Sequence, residues 1–235
     1  MVQDIRAYPL YPIGVVGNVS AFGESPLALA SQCVHSEASD FEGHSGYEIA
    51  KRAFDFFGAL GLLIVFSPLM LILAVAIRLT SSGGAIYWSD RIGRGNKVFR
   101  MPKFRSMRVG TPVVATRMLE DPTAHLTPLG SFIRRTSLDE LPQLWSILRG
   151  DISFVGPRPV LTKEHGLTEL RTTFGVHRLR PGLTGWAQIN GRDTLTDETK
   201  AELDYDYMTR QSLAFDMVIL GTTVLKVLRC EGVQH

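Results

Sequence analysis

The sequence predicts an α+β protein, mostly helical, that sits at a membrane. Three observations predict it. An apolar run at 53–79 is about as long as a bilayer is thick. Aromatic and β-branched residues flank a Gly-Asn pair within 85–107, which is a hairpin pattern. Further on, apolar residues recur at helical spacing in segments separated by Gly- and Pro-rich turns. The chain has 235 residues, which suits one domain with an arm. It is 45% hydrophobic with a mean hydropathy of +0.08, so it can bury a core. The net charge is +2, and no nucleic-acid partner is expected from it.

Residues 1–46 read as a loosely ordered arm, rich in Gly, Ser and Pro and without sustained periodicity. No basic stretch leads into an apolar one there, so no cleaved signal peptide is expected. Cys33 and Cys230 lack metal-ligand or redox spacing and read as unpaired thiols. The remainder, 47–235, reads as one domain.

From Phe56 to Ile77 no residue is charged. A straight helix of this length reaches roughly 30 Å, enough to span a bilayer. Ser67–Pro68 lies at its midpoint. Pro68 removes a backbone donor and frees the Ile64 carbonyl, which the Ser67 hydroxyl can satisfy. Each half alone reaches only about 14–17 Å. Lys51 and Arg52 precede the run, and Arg78, Arg91, Arg94, Lys97 and Arg100 follow it. Positive charge marks the cytoplasmic side, and both ends carry it. A spanning helix with a proline kink and a re-entrant helix at about 50–80 both fit these residues.

The hairpin turns at Gly95–Asn96. A loop at 110–128 precedes a helix at 137–149, with Leu138, Leu141, Leu144, Trp145 and Leu148 on one face. GDISFVGPRP (150–159) reads as an ordered loop, 160–175 as a short helix, and RPGLTGWAQINGR (180–192) as turns. A helix at 197–210 precedes an apolar one at 213–229. Asp216, Lys226 and Arg229 keep that last helix at the interface or against the protein. Asp204-Tyr205-Asp206 reads as part of an amphipathic helix face, and Trp186 as a packing residue.

Ser137-Leu138-Asp139-Glu140 fits a capping box, with Ser137 as N-cap and Glu140 three residues on. Acidic residues in a first turn also complement the helix dipole. A functional reading rests on the neighbours. Arg134 and Arg135 lie just upstream. Pro157 and Pro159 hold Arg158 in an extended segment that can present a guanidinium to a phosphate. Lys103 and Arg105, in KFRSM, add cations, and these also suit lipid headgroups.

These blocks together resemble the monotopic phosphoglycosyl transferases. These are the bacterial sugar transferases that prime exopolysaccharide, O-antigen and glycoprotein assembly. KRAFDFFGALGLLIVFSPLML, KFRSM, TSLDELPQLW, GDISFVGPRP and RPGLTGWAQINGR occur in the family's order over about 48–230. The resemblance implies a re-entrant helix broken at Ser67–Pro68; the small hairpin and interfacial helices read from the residues then surround a compact catalytic domain. It implies transfer of a sugar 1-phosphate from a UDP-sugar to a polyprenyl phosphate such as undecaprenyl phosphate, with release of UMP. Asp139 is then the nucleophile and Glu140 its partner, either of them a ligand to Mg²⁺. Arg158, Arg134, Lys103 and Arg105 are the expected phosphate contacts, framed by Pro157 and Pro159. The helix start at 137–140 is the expected anion site. The implied location is the bacterial inner membrane, facing the cytoplasm. The implied partners are the bilayer, a second copy of the chain or pathway glycosyltransferases. A nucleotide-sugar hydrolase and a non-catalytic scaffold of a polysaccharide assembly complex are the alternatives. The intact Asp-Glu pair argues against the scaffold.

Overall fold

The computed structural model describes residues 45–112, 114, 121, 123–191 and 194–229. The arm, apart from its last two residues, and both cysteines lie outside the described residues. A first helix, α1, runs Ser45–Thr80. It is followed by a hairpin of β1 (Ile86–Ile92) and β2 (Val98–Phe104), and by the short helices α2 (Gly130–Arg135) and α3 (Gln143–Arg149). Strand β3 (Ser153–Val155) and helix α4 (His165–Thr173) come next. Then follow β4 (Gly182–Thr184), α5 (Trp186–Ile189), α6 (Asp197–Thr209) and α7 (Leu213–Leu228).

The apolar run forms a helix because long apolar side chains recur along it, with Gly58, Gly61 and Ser67–Pro68 accommodated inside it. The helix continues through Pro68. Pro68 cannot donate to the Ile64 carbonyl, and the Ser67 hydroxyl donates to it instead, at 2.8 Å. The hydrogen bond that Pro68 removes is thus replaced by a side-chain one, and helical residues continue on both sides of Ser67–Pro68. By length and composition α1 can cross a membrane, with a mean hydropathy of 2.8 in its most apolar stretch. Phe57, Ile64, Val65, Leu71 and Ile72 are each more than 60% exposed. An apolar surface this continuous marks a membrane or a partner.

Both ends of α1 pack on the same domain. Near its start, Lys51 forms a buried ion pair of 2.6 Å with Asp216 of α7. The Tyr207 hydroxyl donates to the other oxygen of Asp216 at 2.8 Å. Arg52 donates to the Ile147 and Leu148 carbonyls at the end of α3, at 2.7 and 2.6 Å. A cation at a helix C-terminus is favourable there. Asp55 accepts from the Ser153 hydroxyl and the Phe154 N–H, both at 3.0 Å. Ala59 then joins a core with Leu144, Ile147, Phe154, Tyr207 and Ile219. Near the far end, Leu73 and Ile77 pack with Phe104 and Ile133. Lys51 and Arg52, counted in the sequence as charges marking the cytoplasmic side, fasten the helix to the domain.

The hairpin turns where expected. Gly95 and Asn96 adopt left-handed φ of 66° and 58°. Gly93 and Lys97 close the turn with a 2.8 Å backbone bond. Two segments read as loop and turns prove to be strands. β3 and β4 pair in parallel, with Ser153 opposite Gly182 and Val155 opposite Thr184. Three residues each is too short for alternation to show in a sequence. α7 turns Phe215 and Ile219 inward, while Met217, Val218, Val224 and Leu225 face out.

Candidate active site

The Asp-Glu pair sits on a different local structure from the one expected. Ser137 makes no cap, and its φ of 57° is left-handed. Leu138–Glu140 form one 3₁₀ turn, and α3 begins only at Gln143, after Pro142. The cause is Pro142. It has no N–H for the Leu138 carbonyl, so the Leu141 N–H takes that acceptor at 3.3 Å, and the helix restarts beyond the proline. The capping box and the helix N-terminus at 137–140 are thus both corrected. Trp145, expected on the buried face, is 51% exposed, and Gln143 and Ile147 are buried instead. Among the described residues, positive φ outside glycine occurs only at Asn96 and Ser137. A left-handed serine two residues before Asp139 is a strained conformation that the surrounding packing must hold.

This turn buries Asp139, which is 9% exposed. Burial, opposed chiefly by Lys103, pushes its carboxyl up to about 6. Glu140 raises it further, while Arg134 and Arg158 pull it down. Glu140 itself is a bridge. Its Oε1 accepts from Lys103 Nζ at 3.0 Å and from Arg158 Nη2 at 3.2 Å. Lys103 arrives from the end of β2, and Arg158 from the loop after β3. Arg91, on β1, lies in the same field. Burial first, then Arg158, lowers its guanidinium to about 10, so it stays charged at neutral pH. Four cations thus surround two carboxylates, an arrangement suited to an incoming polyanion.

The Pro-Arg-Pro loop is held by every carbonyl along it. Pro157 O accepts from the Gly182 N–H at 2.9 Å and Arg158 O from Arg171 Nη1 at 2.8 Å. Pro159 O accepts from Arg91 Nη1 at 3.3 Å and Val160 O from the Ile92 N–H at 3.0 Å. Arg171 is in turn paired with buried Asp204 at 2.6 Å. The glycines of RPGLTGW serve this loop. A Cβ on Gly182 would fall 2.1 Å from Gly156 N, and one on Gly185 2.1 Å from Gly156 O. Only bare backbone fits at both places.

The expected site residues divide as follows. Asp139, Glu140, Lys103, Arg134 and Arg158 converge, framed by Pro157 and Pro159. Arg105 lies elsewhere, with its guanidinium donating to the Ser82 carbonyl at 2.9 Å, in the turn after α1. Ser67 and Pro68 lie in the exposed middle of α1. Arg91, Arg171 and Asp204 went unrecognised in the sequence. Arg171 was findable, since it follows Leu167 by four residues and both are buried on one face of α4. Asp204 likewise follows buried Ala201 by three.

A cavity of about 380 Å³ opens beside Glu140 and Ser137. Leu62 and Phe66 of α1 form one wall, and Leu220 and Val224 of α7 another.

The profile of the family described as "Bacterial sugar transferase" matches residues 46–230. The chain belongs to the bacterial sugar transferase family. The transferase is 40% identical over 187 residues to the UDP-glucose:undecaprenyl-phosphate glucose-1-phosphate transferase of Escherichia coli K12, covering 76% of this chain and 40% of that protein. It is 35% identical to the UDP-N-acetylgalactosamine-undecaprenyl-phosphate N-acetylgalactosaminephosphotransferase of Aeromonas hydrophila, covering 77% and 44%. It is 38% identical to the exopolysaccharide production protein ExoY of Rhizobium meliloti, covering 78% and 88%. The matched region thus spans less than half of the first two relatives and most of the third.

Proposed function

We propose that this transferase moves a sugar 1-phosphate from a UDP-sugar to a polyprenyl phosphate, with undecaprenyl phosphate as the acceptor and UMP as the leaving product. The relatives' named substrates support the reading. The observation that carries it is buried Asp139 beside Glu140, with Lys103 and Arg158 both on Glu140 Oε1. In the first step a carboxylate oxygen of Asp139 bonds to the sugar-proximal phosphorus. The bond from that phosphorus to the bridging oxygen breaks, and UMP leaves with the electron pair. In the second step a phosphate oxygen of the lipid attacks the same phosphorus and frees the carboxylate. The covalent intermediate divides one difficult displacement into two. Arg158, Lys103 and Arg91 stabilise charge on the non-bridging oxygens. Held by its four bonded carbonyls, the Pro-Arg-Pro loop keeps Arg158 in place without reorganisation.

The donor set suits Mg²⁺ that arrives with the diphosphate. Asp139 and Glu140 supply the one or two carboxylates such an ion takes, and phosphate oxygens and water supply the rest. Among the described residues no group of three or more His, Cys, Asp or Glu forms a cage. When bound, the ion would neutralise charge on the diphosphate.

The assignment of α1 as re-entrant is supported by its packing. A helix that crossed the bilayer would carry Lys51 and Ile77 to opposite faces, yet both ends pack on one domain. The catalytic side is then the cytoplasmic face of the bacterial inner membrane. Cysteines introduced at Glu48 and at Gly84 are expected to label from the same, cytoplasmic side. Labelling from opposite sides would exclude re-entry.

Because the nucleophile is the ionised carboxylate, the raised Asp139 value has a signed consequence. With free UDP-sugar limiting, kcat/KM is expected to be full above about pH 7 and to fall with a midpoint near 6. A profile flat down to pH 5 would contradict an ionised Asp139 nucleophile.

The reading is tested by a screen of UDP-sugars with undecaprenyl phosphate and Mg²⁺, following both UMP and the lipid product. Acceptor-dependent UMP release with a lipid-linked sugar diphosphate is expected. Acceptor-independent release with free sugar phosphate would identify a hydrolase instead.

A further inference from the structure

Ser137 joins two pieces of chain that both reach the dyad. Helix α2 ends at Arg135, Thr136 caps it, and Ser137 takes the next position with φ 57° and ψ 17°. A left-handed residue is a common way to end a helix, and glycine or asparagine usually supplies it. Asn96, the other positive-φ residue outside glycine among the described residues, follows that preference in the hairpin turn. Serine does not, because its Cβ crowds the following carbonyl in this conformation. The Ser137 hydroxyl caps nothing, although the residue borders the cavity beside Glu140.

The main chain of Ser137, by contrast, is committed to site residues on both sides. Its N–H donates to the Arg134 carbonyl, and its own carbonyl accepts from the Glu140 N–H, each at 3.1 Å. The flanks are fixed by packing. Ile133 before the turn, and Leu138 and Leu141 after it, share one apolar cluster with Leu73 and Ile77 of α1 and with Phe104 of β2. With both flanks held, the left-handed residue is what reverses the chain between them. Leu138 then enters the apolar cluster, while Asp139, 9% exposed, is set among Lys103, Arg134 and Arg158. A right-handed or extended φ at 137 would carry Leu138 out of the cluster and Asp139 away from these cations.

We propose that Ser137 is a positioning residue, whose left-handed backbone and not its hydroxyl aims Asp139 at the phosphorus. This rests on the transfer reaction proposed above and adds the element that sets the direction of the nucleophile.

Substitutions that separate the conformation from the hydroxyl test it. Glycine and asparagine enter the left-handed region readily and lack the hydroxyl. Threonine keeps the hydroxyl, but its branched Cβ disfavours that region. Ser137→Thr is expected to lose about a hundred-fold in kcat, the scale on which a misplaced reacting group registers. Its KM for UDP-sugar should change little. Ser137→Gly and Ser137→Asn, which restore the conformation, are expected to keep most of kcat. The opposite order, with activity kept by Ser137→Thr and lost in Ser137→Gly and Ser137→Asn, would make the hydroxyl the working group and overturn the proposal. An unchanged kcat in Ser137→Thr would overturn it too. Should Ser137→Thr fail to fold, the glycine and asparagine variants still decide, since a large loss of kcat in both contradicts a role carried by the backbone.

Carboxyl footprinting with a water-soluble carbodiimide and glycine ethyl ester, read by peptide mass spectrometry, gives a measure independent of turnover. Asp139 should stay protected in the wild type, Ser137→Gly and Ser137→Asn, and become labelled in Ser137→Thr. If the wild-type chain transfers nothing, the proposed reaction fails by itself. The footprint then decides the positioning, since equal protection of Asp139 in all four proteins overturns it.

Discussion

Asp139→Asn is expected to reduce UMP release by at least about a thousand-fold, the scale on which losing a covalent nucleophile usually registers. The substitution preserves shape and removes only the charge and the nucleophilic oxygen. Stability should behave oppositely. Burial raises the Asp139 carboxyl to about 6, above its value in an unfolded chain. A carboxyl with a raised folded value binds more protons when folded, so the penalty on folding builds as the pH rises from its unfolded value of about 4 towards about 6, is full above that, and is absent below the unfolded value. At neutral pH the neutral amide escapes the penalty, so the variant should melt no lower than the wild type. A group kept against stability is what a functional position looks like. An inactive variant that also unfolds easily would instead point to a structural carboxylate. Full retained activity would remove Asp139 from the chemistry.

Arg171→Met is expected to cost about 3–5 kcal/mol of stability, the range for removing one partner of a buried ion pair. Arg171 and Asp204 are nearly inaccessible, with side-chain exposures of 10% and 1%. Asp204 would keep a buried charge with its main partner gone. The same change frees the Arg158 carbonyl, so residual activity should also fall, although Arg171 makes no direct contact with the dyad in this fold. The double variant Arg171→Met/Asp204→Leu separates the two effects. It should recover much of the stability, because an apolar pair can replace a buried ionic one, while the Arg158 carbonyl stays unbound and activity stays low. Thermal melts and UMP release on the same preparations measure both.

The apolar helix, the hairpin and the last three long helices were readable because their patterns are long compared with one turn or one pleat. The Ser67–Ile64 bond was readable too, since one missing proline N–H names both the orphan carbonyl and its nearest hydroxyl. The local structure of the dyad was not. Capping box and 3₁₀ turn share the same residues at 137–140, and the difference lies in the left-handed φ of Ser137, which a serine does not announce. β3 and β4 are set by close backbone contact between Gly156, Gly182 and Gly185, nearly thirty residues apart in sequence at the widest. Arg91 and Lys51 were read as charges marking the cytoplasmic side, because charge counts alone cannot tell a cation that pairs inside the fold from one in solvent. Lys103 and Arg105 are two residues apart, yet one reaches Glu140 and the other the Ser82 carbonyl. The alternation of a strand separates nearest neighbours, and here the chain leaves β2 after Phe104.

A phosphosugar bonded to Asp139 would be visible by peptide mass spectrometry. The protein would be mixed with the UDP-sugar that supports UMP release, without lipid acceptor, then quenched in acid and digested. The peptide containing Asp139 is expected to gain the mass of one sugar phosphate, and adding undecaprenyl phosphate before the quench is expected to remove it. UMP released in a single turnover with no adduct, or an adduct on another residue, would rule out Asp139 as the covalent nucleophile.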